Sequence, residues 1–515
     1  MSDWSAGYTS EIGYTFGYYP ELGVTQIPFL LALRGLRSPE IGTALELGFG
    51  QGLSVNIHAA TTQIDWWGTD FNPSQASFAR ELAIASGTPT SLYDDSFQEL
   101  SERTDLPRFD FICLHGIWSW ISDKNRSVIV KLIKEKLNVG GIVYVSYNTM
   151  PGWAGFSPLR HLMTQHAELL SAAGTHVTQR IDRSISFTDE LLTLNPQYLK
   201  AYPAAASRID GMKSQSRQYL AHEYFNNDWH PMHFDTMAEL MAGAKLQYAG
   251  PADFLSTVNP VNLTDEQQEF LNKIPDLNFR ESTRDFITNA QFRKDYWIKG
   301  PTRLSATEQS NVLRDQALIL VTHHTDVDLK VSGPLGELNL STEIYKPLIE
   351  LLSNHKPKKI REIEADLVGD EIAGTKMKWD QLIQAITVLM GKGNLRLVQE
   401  TPTKPADQRV KMLNQHILAK AWNDSDITAL ASPVLGGGLG VTRIDQLLVD
   451  VAISGNHSVD SAVEIIWKTL KAQGTRFIED GKELMADEEN MALLRSRAEV
   501  FEKKLKPIFN QLKIL

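Results

Sequence analysis

Residues 43–52 read TALELGFGQG. In this stretch a short apolar run passes into three glycines at alternate positions, and a helical spacing of apolar residues begins at Leu53. This order predicts a strand, a tight turn and a helix, which is the local structure of a nucleotide-type cofactor site. Glycines in such a turn permit unusual φ angles and let the backbone approach a ligand closely.

Asp70 follows the glycines by eighteen residues and ends a second apolar run over 64–69. A carboxylate at the tip of the second strand is placed to accept hydrogen bonds from both hydroxyls of a ribose. The alternative is a structural glycine turn without a cofactor, because a glycine fingerprint alone is a weak signal. The position of Asp70 and the strands that follow favour the cofactor.

The rest of the first 150 residues alternates between strand and helix patterns. Further strands are expected at 91–93, 109–114 and 142–146, and helices at 53–60, 72–86 and 122–137, with Gly140-Gly141 ending the last helix. Alternation with short loops predicts an α/β fold with a parallel, doubly wound, Rossmann-like sheet. Ligands bind such sheets at the carboxyl ends of the strands.

The first domain is expected to cover residues 1–300. An aromatic arm at 4–19 either packs on this domain or forms a flap over the cofactor and the acceptor. A helical insertion is expected at about 155–220, and a helix and two strands near 235–244, 246–249 and 291–298 complete the sheet.

Two further modules are expected after this domain. Three helical patterns and a wing strand near 394–399 suggest a winged-helix-like module over 301–400. Residues 401–515 form a mostly helical module, in which the glycine run 436–440 is interpreted as a flexible loop.

Composition restricts the kind of protein. The 515 residues carry a formal net charge of −11, which disfavours general binding of nucleic acid. The single cysteine, Cys113, excludes an internal disulfide and fits a reducing compartment. Residues 1–7 lack the features of a signal peptide, and no apolar run reaches the ~18 residues that predict a membrane span. We therefore expect a cytoplasmic protein without membrane insertion and without a nucleic-acid partner.

Four motifs in combination resemble one family. They are ELGFGQG at 46–52, GTD at 68–70, DFICLHGIWSW at 110–120 and VSYNTMPGW at 145–153. Together they resemble bacterial class I S-adenosylmethionine (AdoMet) methyltransferases with a methyltransferase regulatory domain, and residues 222–250 are similar to the start of that domain. The best-known members are similar to lysine methyltransferases of bacterial outer-membrane proteins. Phe49 stands where this family commonly has cysteine, and the arm at 4–19 is richer in aromatic residues than in the family.

The resemblance implies AdoMet as cofactor, S-adenosylhomocysteine (AdoHcy) as product, a protein substrate and a homodimer. It implies that Asp70 holds the ribose, that Phe71 stacks on adenine, and that His115 and Gly116 face the reacting methyl group. The implied cofactor-binding residues are Glu46, Gly48, Phe49, Gly50, Gly52, Asp70, Phe71, Asp95, Ser96, Phe97, His115 and Gly116.

A lysine acceptor must lose a proton before it is methylated, which from a pKa of about 10.4 costs roughly 4.6 kcal/mol at pH 7. His115 and Tyr147 are candidates for relaying that proton, and Tyr14 of the arm is a third catalytic candidate. A structural histidine is the alternative for His115. The aromatic candidates for contact with a methylammonium are Trp118, Trp120, Tyr147 and Trp153, with core packing as the alternative.

The predicted function is AdoMet-dependent methylation of lysine in proteins. A large C-terminal half and an apolar face on the insertion favour a protein substrate and a dimer. The alternatives are methylation of a saccharide or small molecule, and a non-catalytic AdoMet-binding regulatory protein. No metal site is expected, because the spacing of His222, Glu223, His230 and His233 is not that of a metal motif.

Overall fold

The computed structural model describes residue 13 and residues 15–172, 174–369, 377–399, 404–455, 458–479 and 481–515. Tyr14, a catalytic candidate from the sequence, lies outside the described residues. Sixteen strands are described: β1 (Thr43–Leu47), β2 (Asp65–Thr69), β3 (Ser91–Tyr93), β4 (Phe109–Leu114), β5 (Leu137–Asn148), β6 (Gln247–Pro251), β7 (Phe292–Ile298), β8 (Ala317–Leu320), β9 (Lys330–Gly333), β10 (Gly336–Asn339), β11 (Lys358–Lys359), β12 (Leu395–Val398), β13 (Ala429–Ser432), β14 (Gly437–Gly440), β15 (Ile478–Glu479) and β16 (Lys482–Glu483).

The α-helices of the same residues are α1 (Ile27–Leu33), α2 (Leu53–Thr61), α3 (Pro73–Ser86), α4 (Phe97–Glu102), α5 (Asp123–Lys136), α6 (Ser157–Leu169), α7 (Val177–Thr193), α8 (Gln197–Ala201), α9 (Ala204–Ser214), α10 (Arg217–Tyr224), α11 (Phe234–Gly243), α12 (Asn259–Asn262), α13 (Asp265–Asn272), α14 (Leu277–Thr288), α15 (Ala306–Asp315), α16 (Thr342–Leu351), α17 (Ile360–Leu367), α18 (Trp379–Gly391), α19 (Lys404–Ala421), α20 (Arg443–Ser454), α21 (Val459–Ala472), α22 (Asp487–Val500) and α23 (Lys506–Gln511).

A seven-stranded sheet in the order β3-β2-β1-β4-β5-β7-β6 organises the first domain. Strands β1 to β5 pair in parallel, whereas β7 is antiparallel to both of its neighbours. The α/β fold class predicted from the sequence is confirmed. The antiparallel β7 is a departure from the all-parallel expectation.

Local sequence signals account for the helix starts around this sheet. The Asn72 side chain accepts a hydrogen bond from the Ser74 amide, and Pro73 is the first residue of α3. Ser122 caps α5 in the same way through the amide of Asn125. Short polar side chains at these positions satisfy amides that have no partner within the helix.

Gly140 and Gly141 do not end a helix, which corrects the sequence interpretation. Helix α5 ends at Lys136 and β5 begins at the next residue, so both glycines lie inside the strand. The pairing of β5 with β4 shifts register between Phe109 and Phe111, opposite this part of β5. Gly140 has a φ of +84°, a conformation that favours glycine and suits a bulge.

Five helices, α6 to α10, lie between β5 and α11, where the sequence indicated a helical insertion. They surround an apolar core of their own that includes Met163, Ile181 and Ile209. Trp153 and Trp229 belong to that core, and their rings meet edge to face with 5.3 Å between centroids. The insertion is therefore packed independently of the two faces of the sheet.

The next segment contains α16, α17 and α18 together with a small sheet in the order β11-β8-β12. The wing strand expected near 394–399 is β12, and it pairs antiparallel with β8, which precedes the three helices. Within the described residues, the wing strand is thus held by a partner that is distant in sequence. The domain limits at 300 and 400 remain predictions.

The C-terminal residues pack directly on the first domain. Leu53 of α2 and Leu82 of α3 share one apolar core with Leu413 and Ile417 of α19. Residues 437–440 form β14, which pairs with β13 and is mostly buried, so the interpretation of this glycine run as a flexible loop is wrong. In the part of the chain that is described, no helix has the length and apolarity needed to cross a membrane.

Candidate functional site

A cleft opens at the carboxyl ends of β1, β2 and β4. It lies where ligands bind in doubly wound sheets. Eleven of the twelve cofactor-binding residues expected from the sequence line it: Glu46, Gly48, Phe49, Gly50, Asp70, Phe71, Asp95, Ser96, Phe97, His115 and Gly116.

The glycines of the turn after β1 have two structural roles, one in the cleft and one in helix packing. Gly48 and Gly50 line the cleft with φ angles of +69° and +58°, and a Cβ atom on Gly48 would lie 2.3 Å from Ile117 Cδ1. Gly52 does not line the cleft. A Cβ atom on Gly52 would lie 2.4 Å from Ala79 Cβ, so this glycine allows α2 and α3 to approach each other.

Asp70 is held at the tip of β2 by backbone amides. Its Oδ2 accepts from Gly50 N at 2.9 Å and its Oδ1 from Asn72 N at 3.0 Å. The Gln75 amide, oriented with its NH₂ toward Asp70, donates to the two oxygens at 2.9 and 3.2 Å. Burial raises the pKa of Asp70 to about 7, against the opposing effect of the Asn72 and Gly50 amides.

Glu46 is a second buried carboxylate in the same cleft. Only 4% of the residue is exposed, and its Oε2 has no hydrogen-bond partner among the described residues. Burial, assisted by the negative charge of Asp70, raises the pKa of Glu46 to about 8. An unpaired acceptor of this kind is costly unless a ligand supplies a donor.

The opposite end of the cleft is formed after β3. Ser96 caps α4 by accepting from Glu99 N, while Ser96 N donates to Glu99 Oε2 at 2.8 Å. The Arg103 guanidinium forms an ion pair with the Asp95 carboxylate, with 3.0 Å between Nη1 and Oδ2. Phe97 follows directly and lines the cleft, so an aromatic face is presented by a fixed helix start.

Alternate residues of β5 support the loop that follows β4. The Tyr144 hydroxyl lies 2.8 Å from His115 Nδ1, and Ser146 Oγ accepts from Gly116 N at 2.9 Å. Two residues further on, Asn148 N donates to Ser119 Oγ at 2.8 Å. The Tyr144 and Ser146 side chains share one face of β5, because side chains two positions apart point to the same face of a strand, and with the Asn148 backbone amide they hold the loop toward the cleft.

His115 lies between aromatic rings in this loop. Its ring stacks on Tyr19, with 3.9 Å between centroids and 27° between planes, and it is nearly parallel to the ring of Tyr144. Burial lowers the pKa of His115 to about 4, so the imidazole is neutral at pH 7. Tyr19 therefore brings the end of the N-terminal arm onto the cleft.

Tyr147 does not belong to the cleft, which corrects its assignment as a catalytic candidate. Its side chain points to the face of β5 opposite to that of Tyr144 and Ser146 and is fully buried. Its hydroxyl donates to Asp295 Oδ2 at 2.8 Å. Arg293 contacts the same carboxylate from the neighbouring strand at 2.8 Å. Tyr147 is thus part of a buried ionic network on the other face of the sheet.

Of the tryptophans considered from the sequence, Trp120 lines the cleft. Its indole Nε1 donates to the Glu223 carbonyl at 3.1 Å, which ties the loop to the insertion. Trp118 and Trp153 are not among the residues that line the cleft; their indole groups donate to Met232 Sδ and the Gln291 carbonyl. Core packing is the correct interpretation for these two.

In the sequence, Glu223 stands out only as part of the histidine-rich run 222–233. Burial raises its pKa to about 7, against the stabilising effect of Asn148 and Arg208 on its ionised form. Within the described residues, the run containing His222, His230 and His233 does not form a group that could hold a metal ion. The raised pKa of Glu223 depends on contacts with residues that are distant in sequence, so no local sequence pattern indicates it.

The family described as "Predicted methyltransferase regulatory domain" matches residues 216–299. The chain is 35% identical to the uncharacterized protein sll1526 of Synechocystis sp. over 99% of both chains. It is 27% identical to the uncharacterized protein RP789 of Rickettsia prowazekii over 55% of this chain and 51% of that protein.

The structure of PKMT2 from Rickettsia typhi in complex with AdoHcy is similar in fold, with a TM-score of 0.70 over 97% of this chain and 99% of that chain at 18% identity. The strand order of the seven-stranded sheet agrees with this likeness in fold. The chain therefore belongs to one family with the Synechocystis protein. It has the class I AdoMet-dependent methyltransferase fold with a methyltransferase regulatory domain.

Proposed function

We propose that the cleft binds AdoMet and that the acceptor of its methyl group is a lysine side chain of a protein. In this proposal Asp70 accepts from the ribose hydroxyls, while Phe71 and Phe97 contact the adenine. Gly48 and Gly50 lie along the methionine part. When bound, AdoMet supplies an electrophilic methyl group on a sulfonium.

Two buried acceptors support the fit to this cofactor. Glu46 Oε2 has no donor in the described part of the chain, and the ammonium group of a methionine moiety carries three N–H donors. Asp70 accepts from the Gly50 and Asn72 amides and from Gln75, and rotation of the Gln75 side chain would free one acceptor site on each carboxylate oxygen for a ribose hydroxyl. The donors of AdoMet thus match the acceptors of the cleft.

The observation that carries the lysine proposal is the set of side chains at the β4 end of the cleft. Tyr19, His115 and Trp120 present aromatic rings there, and Asp228 adds a carboxylate. Aromatic faces and a carboxylate attract an ammonium group, whereas a sugar hydroxyl gains less from either. The motifs that resemble lysine methyltransferases of bacterial outer-membrane proteins favour the same acceptor class.

We assign proton removal to Glu223, which does not line the cleft itself but adjoins it: its backbone carbonyl accepts from the indole Nε1 of Trp120, a residue that does line the cleft. Its pKa of about 7, raised by burial, is near the value that suits a general base at neutral pH. Tyr219 lies beside it, and burial together with the charge of Glu223 raises the pKa of that tyrosine. His115 is a weaker base, because burial lowers its pKa to about 4.

A homodimer and a cytoplasmic location complete the proposal. The insertion exposes Leu169, Leu170 and Leu194 by 76%, 66% and 73%, which leaves apolar surface for a second copy. Cys113 is the only cysteine and its thiol is buried, which suits a reducing compartment.

Transfer of labelled methyl groups into a fractionated lysate tests the acceptor. The intact protein and labelled AdoMet should place the label in protein, and mass spectrometry should locate it on lysine. Label in saccharide or in small molecules would contradict the lysine proposal. Tight AdoMet binding without transfer to any fraction would favour a regulatory protein instead.

A substitution of Glu223 tests its role separately. Glu223→Gln should lower kcat by about 10²–10⁴-fold, as for loss of a general base, and should leave AdoMet affinity unchanged. Glu239→Gln, which changes an exposed carboxylate on α11, is the matched control. In the wild-type enzyme, kcat should decrease as the pH falls below about 7, because Glu223 becomes protonated. This decrease should be absent from the pH profile of the Glu223→Gln enzyme. If the variant still shows the decrease, another group removes the proton.

A further inference from the structure

Three histidines meet outside the cofactor cleft, in the segment that follows the first domain. His323 and His324 come just after β8, and His355 comes after α16. One ring nitrogen from each lies within 4.8 Å of the others. The rings of His323 and His324 are 4.4 Å apart between centroids, and those of His323 and His355 are 5.9 Å apart.

The hydrogen bond of His355 determines which of its nitrogens is free. His355 Nδ1 lies 2.9 Å from the Leu320 carbonyl oxygen, and because a carbonyl can only accept, Nδ1 carries the proton. The neutral ring then has a lone pair on Nε2. That atom is buried, in a residue only 5% exposed, and has no hydrogen-bond partner in the described part of the chain.

This arrangement is the one that orients histidines as metal ligands. A ring N–H held by a backbone carbonyl fixes the tautomer and aims the other nitrogen at a metal. Leaving a buried nitrogen unpaired is otherwise unfavourable. His355 also has a φ of +54°, a left-handed conformation that costs about 1–2 kcal/mol outside glycine, so its placement is specific.

His323 is able to supply a second ligand in the same way. Its Nδ1 accepts from the Thr325 amide at 3.4 Å and lies 2.9 Å from the Thr325 hydroxyl oxygen, so a metal would bind Nε2 once the proton is on Nδ1, where it can be donated to that hydroxyl. Lys504 is the nearby cation: it contacts Thr325 Oγ1 at 3.3 Å and Asp326 Oδ1 at 2.5 Å. Because Asp326 pairs with Lys504, that positive charge is balanced at the edge of the cluster.

We propose that His323, His324 and His355 bind one divalent transition-metal ion of the zinc type. Imidazole ligands suit Zn²⁺, and tetrahedral coordination with Zn–N bonds near 2.0–2.1 Å brings the ligand nitrogens to about 3.3 Å from one another. Binding would therefore draw the three ring nitrogens, which now lie within 4.8 Å of one another, closer together. Three protein ligands leave the fourth position to water.

The position of the ion gives it a structural consequence. It joins the loop after β8 to the turn after α16, and Lys504 links the same loop to the C-terminal residues. An ion that binds only the folded arrangement stabilises it by mass action. The site is separate from the cofactor cleft, so it does not depend on the proposed methyl transfer.

Calorimetric titration of the intact, untagged chain with Zn²⁺, after dialysis against a chelator, tests this site. We expect one equivalent to bind saturably and to raise the melting temperature. His355→Gln and His324→Gln should each weaken zinc binding by more than about tenfold. Loss of a residue that only hydrogen-bonds a metal ligand already weakens binding by about tenfold or more, and loss of a ligand should cost at least as much. His161→Gln, a change at an exposed histidine on α6, should leave binding unchanged.

Titration with Co²⁺ adds a readout of geometry, because a tetrahedral site gives strong visible absorption that scattered surface sites lack. Saturable binding that is equal in wild type, His324→Gln and His355→Gln would overturn the proposal, as would absence of saturable binding to the folded wild type. If His355→Gln does not fold, His324→Gln decides the outcome, because it leaves the buried ring and its bond to Leu320 in place.

Discussion

The ring of Tyr19 lies on the ring of His115, with 3.9 Å between their centroids. Tyr19 belongs to the arm before the first helix, and His115 to the loop after β4. The arm thus contributes a wall of the cleft, and Thr15 and Gly17 line the cleft with it.

Removing the Tyr19 ring should weaken AdoMet binding. Tyr19→Ala loses an aromatic pair worth about 0.5–1.5 kcal/mol and opens the cleft to water. Calorimetry should therefore give a several-fold higher Kd. Phe16→Ala is the control, since Phe16 belongs to the same arm but packs on Phe78. Equal losses in both variants would mean that the arm acts only through general packing.

Asp70→Asn should weaken AdoMet binding by about 1.5–3 kcal/mol of binding free energy, which is the contribution of hydrogen bonds to a charged group. The Kd should rise accordingly. Asp94→Asn is the control, because Asp94 forms an exposed pair with Arg80. Gly50→Val should abolish binding, because a branched side chain at a φ of +58° enters the cleft. Unchanged affinity in the Asp70 and Gly50 variants would remove the cofactor assignment.

The affinity for AdoMet should also depend on pH through Asp70. Its pKa of about 7, raised by burial, means that the carboxylate is mostly protonated at pH 6 and mostly ionised at pH 8. Since the ionised form is the better acceptor, affinity should rise by up to about tenfold over this range. The Asp70→Asn variant should show a flatter curve. Identical pH curves for the two proteins would contradict this role of Asp70.

Glu46 should make the cofactor-free protein less stable as pH rises. Its pKa is about 8 in the folded chain because of burial, above the usual 4.5, so the folded state holds a proton that the unfolded state releases. Between these values the free energy of unfolding falls with pH, by at most about 1.4 kcal/mol per unit for one proton. Chemical denaturation at pH 6 and 8 should show a smaller decrease for Glu46→Gln, and an unchanged decrease would exclude this group as the cause.

The ionic network behind the sheet should be essential for stability. Arg293 contacts Asp285 at 2.6 Å and Asp295 at 2.8 Å, and all three side chains are at most 9% exposed. Arg293→Met leaves buried carboxylates without their cation and should cost about 3–5 kcal/mol of unfolding free energy. Arg37→Met, which removes an exposed pair with Glu308, should cost under about 1 kcal/mol. Similar losses in the two variants would refute this ranking.

The proposed dimer should depend on the exposed leucines of the insertion. A double change, Leu169→Asp with Leu194→Asp, places charge on the apolar surface and should give a mass near 57.7 kDa in light scattering. Ile84→Asp is the control, because Ile84 is 80% exposed on α3, away from the insertion. A wild-type mass near 57.7 kDa at micromolar concentration would already contradict the dimer.

Local patterns were sufficient for the first half of the sheet and for most of the cleft. The glycine turn, Asp70 and the cap at Asn72 each depend on neighbouring residues, and the structure has them where the sequence indicated. Gly52 was grouped with the other turn glycines because only its contact with Ala79, which is distant in sequence, distinguishes it.

The errors arise where the structure depends on distant residues. Both faces of β5 are buried, so the apolar pattern does not reveal which residues of the strand face the cleft, and it does not distinguish Tyr144 from the candidate Tyr147. The Gly437–Gly440 strand depends on pairing with β13 and on contacts with the N-terminal arm. The carboxylates around Arg293 and Glu223 become significant only through burial, which no local pattern indicates.

The Tyr18 hydroxyl accepts a hydrogen bond from the Gly438 amide at 2.6 Å, although the two residues are 420 positions apart. During synthesis the arm leaves the ribosome 420 residues ahead of Gly438 in β14. Because domains fold in order of synthesis, the glycine turn and Asp70 can take their places well before this anchor exists. The wall that Tyr19 adds to the cleft is therefore completed late, and a prematurely terminated chain would contain the cofactor motif without a fastened arm.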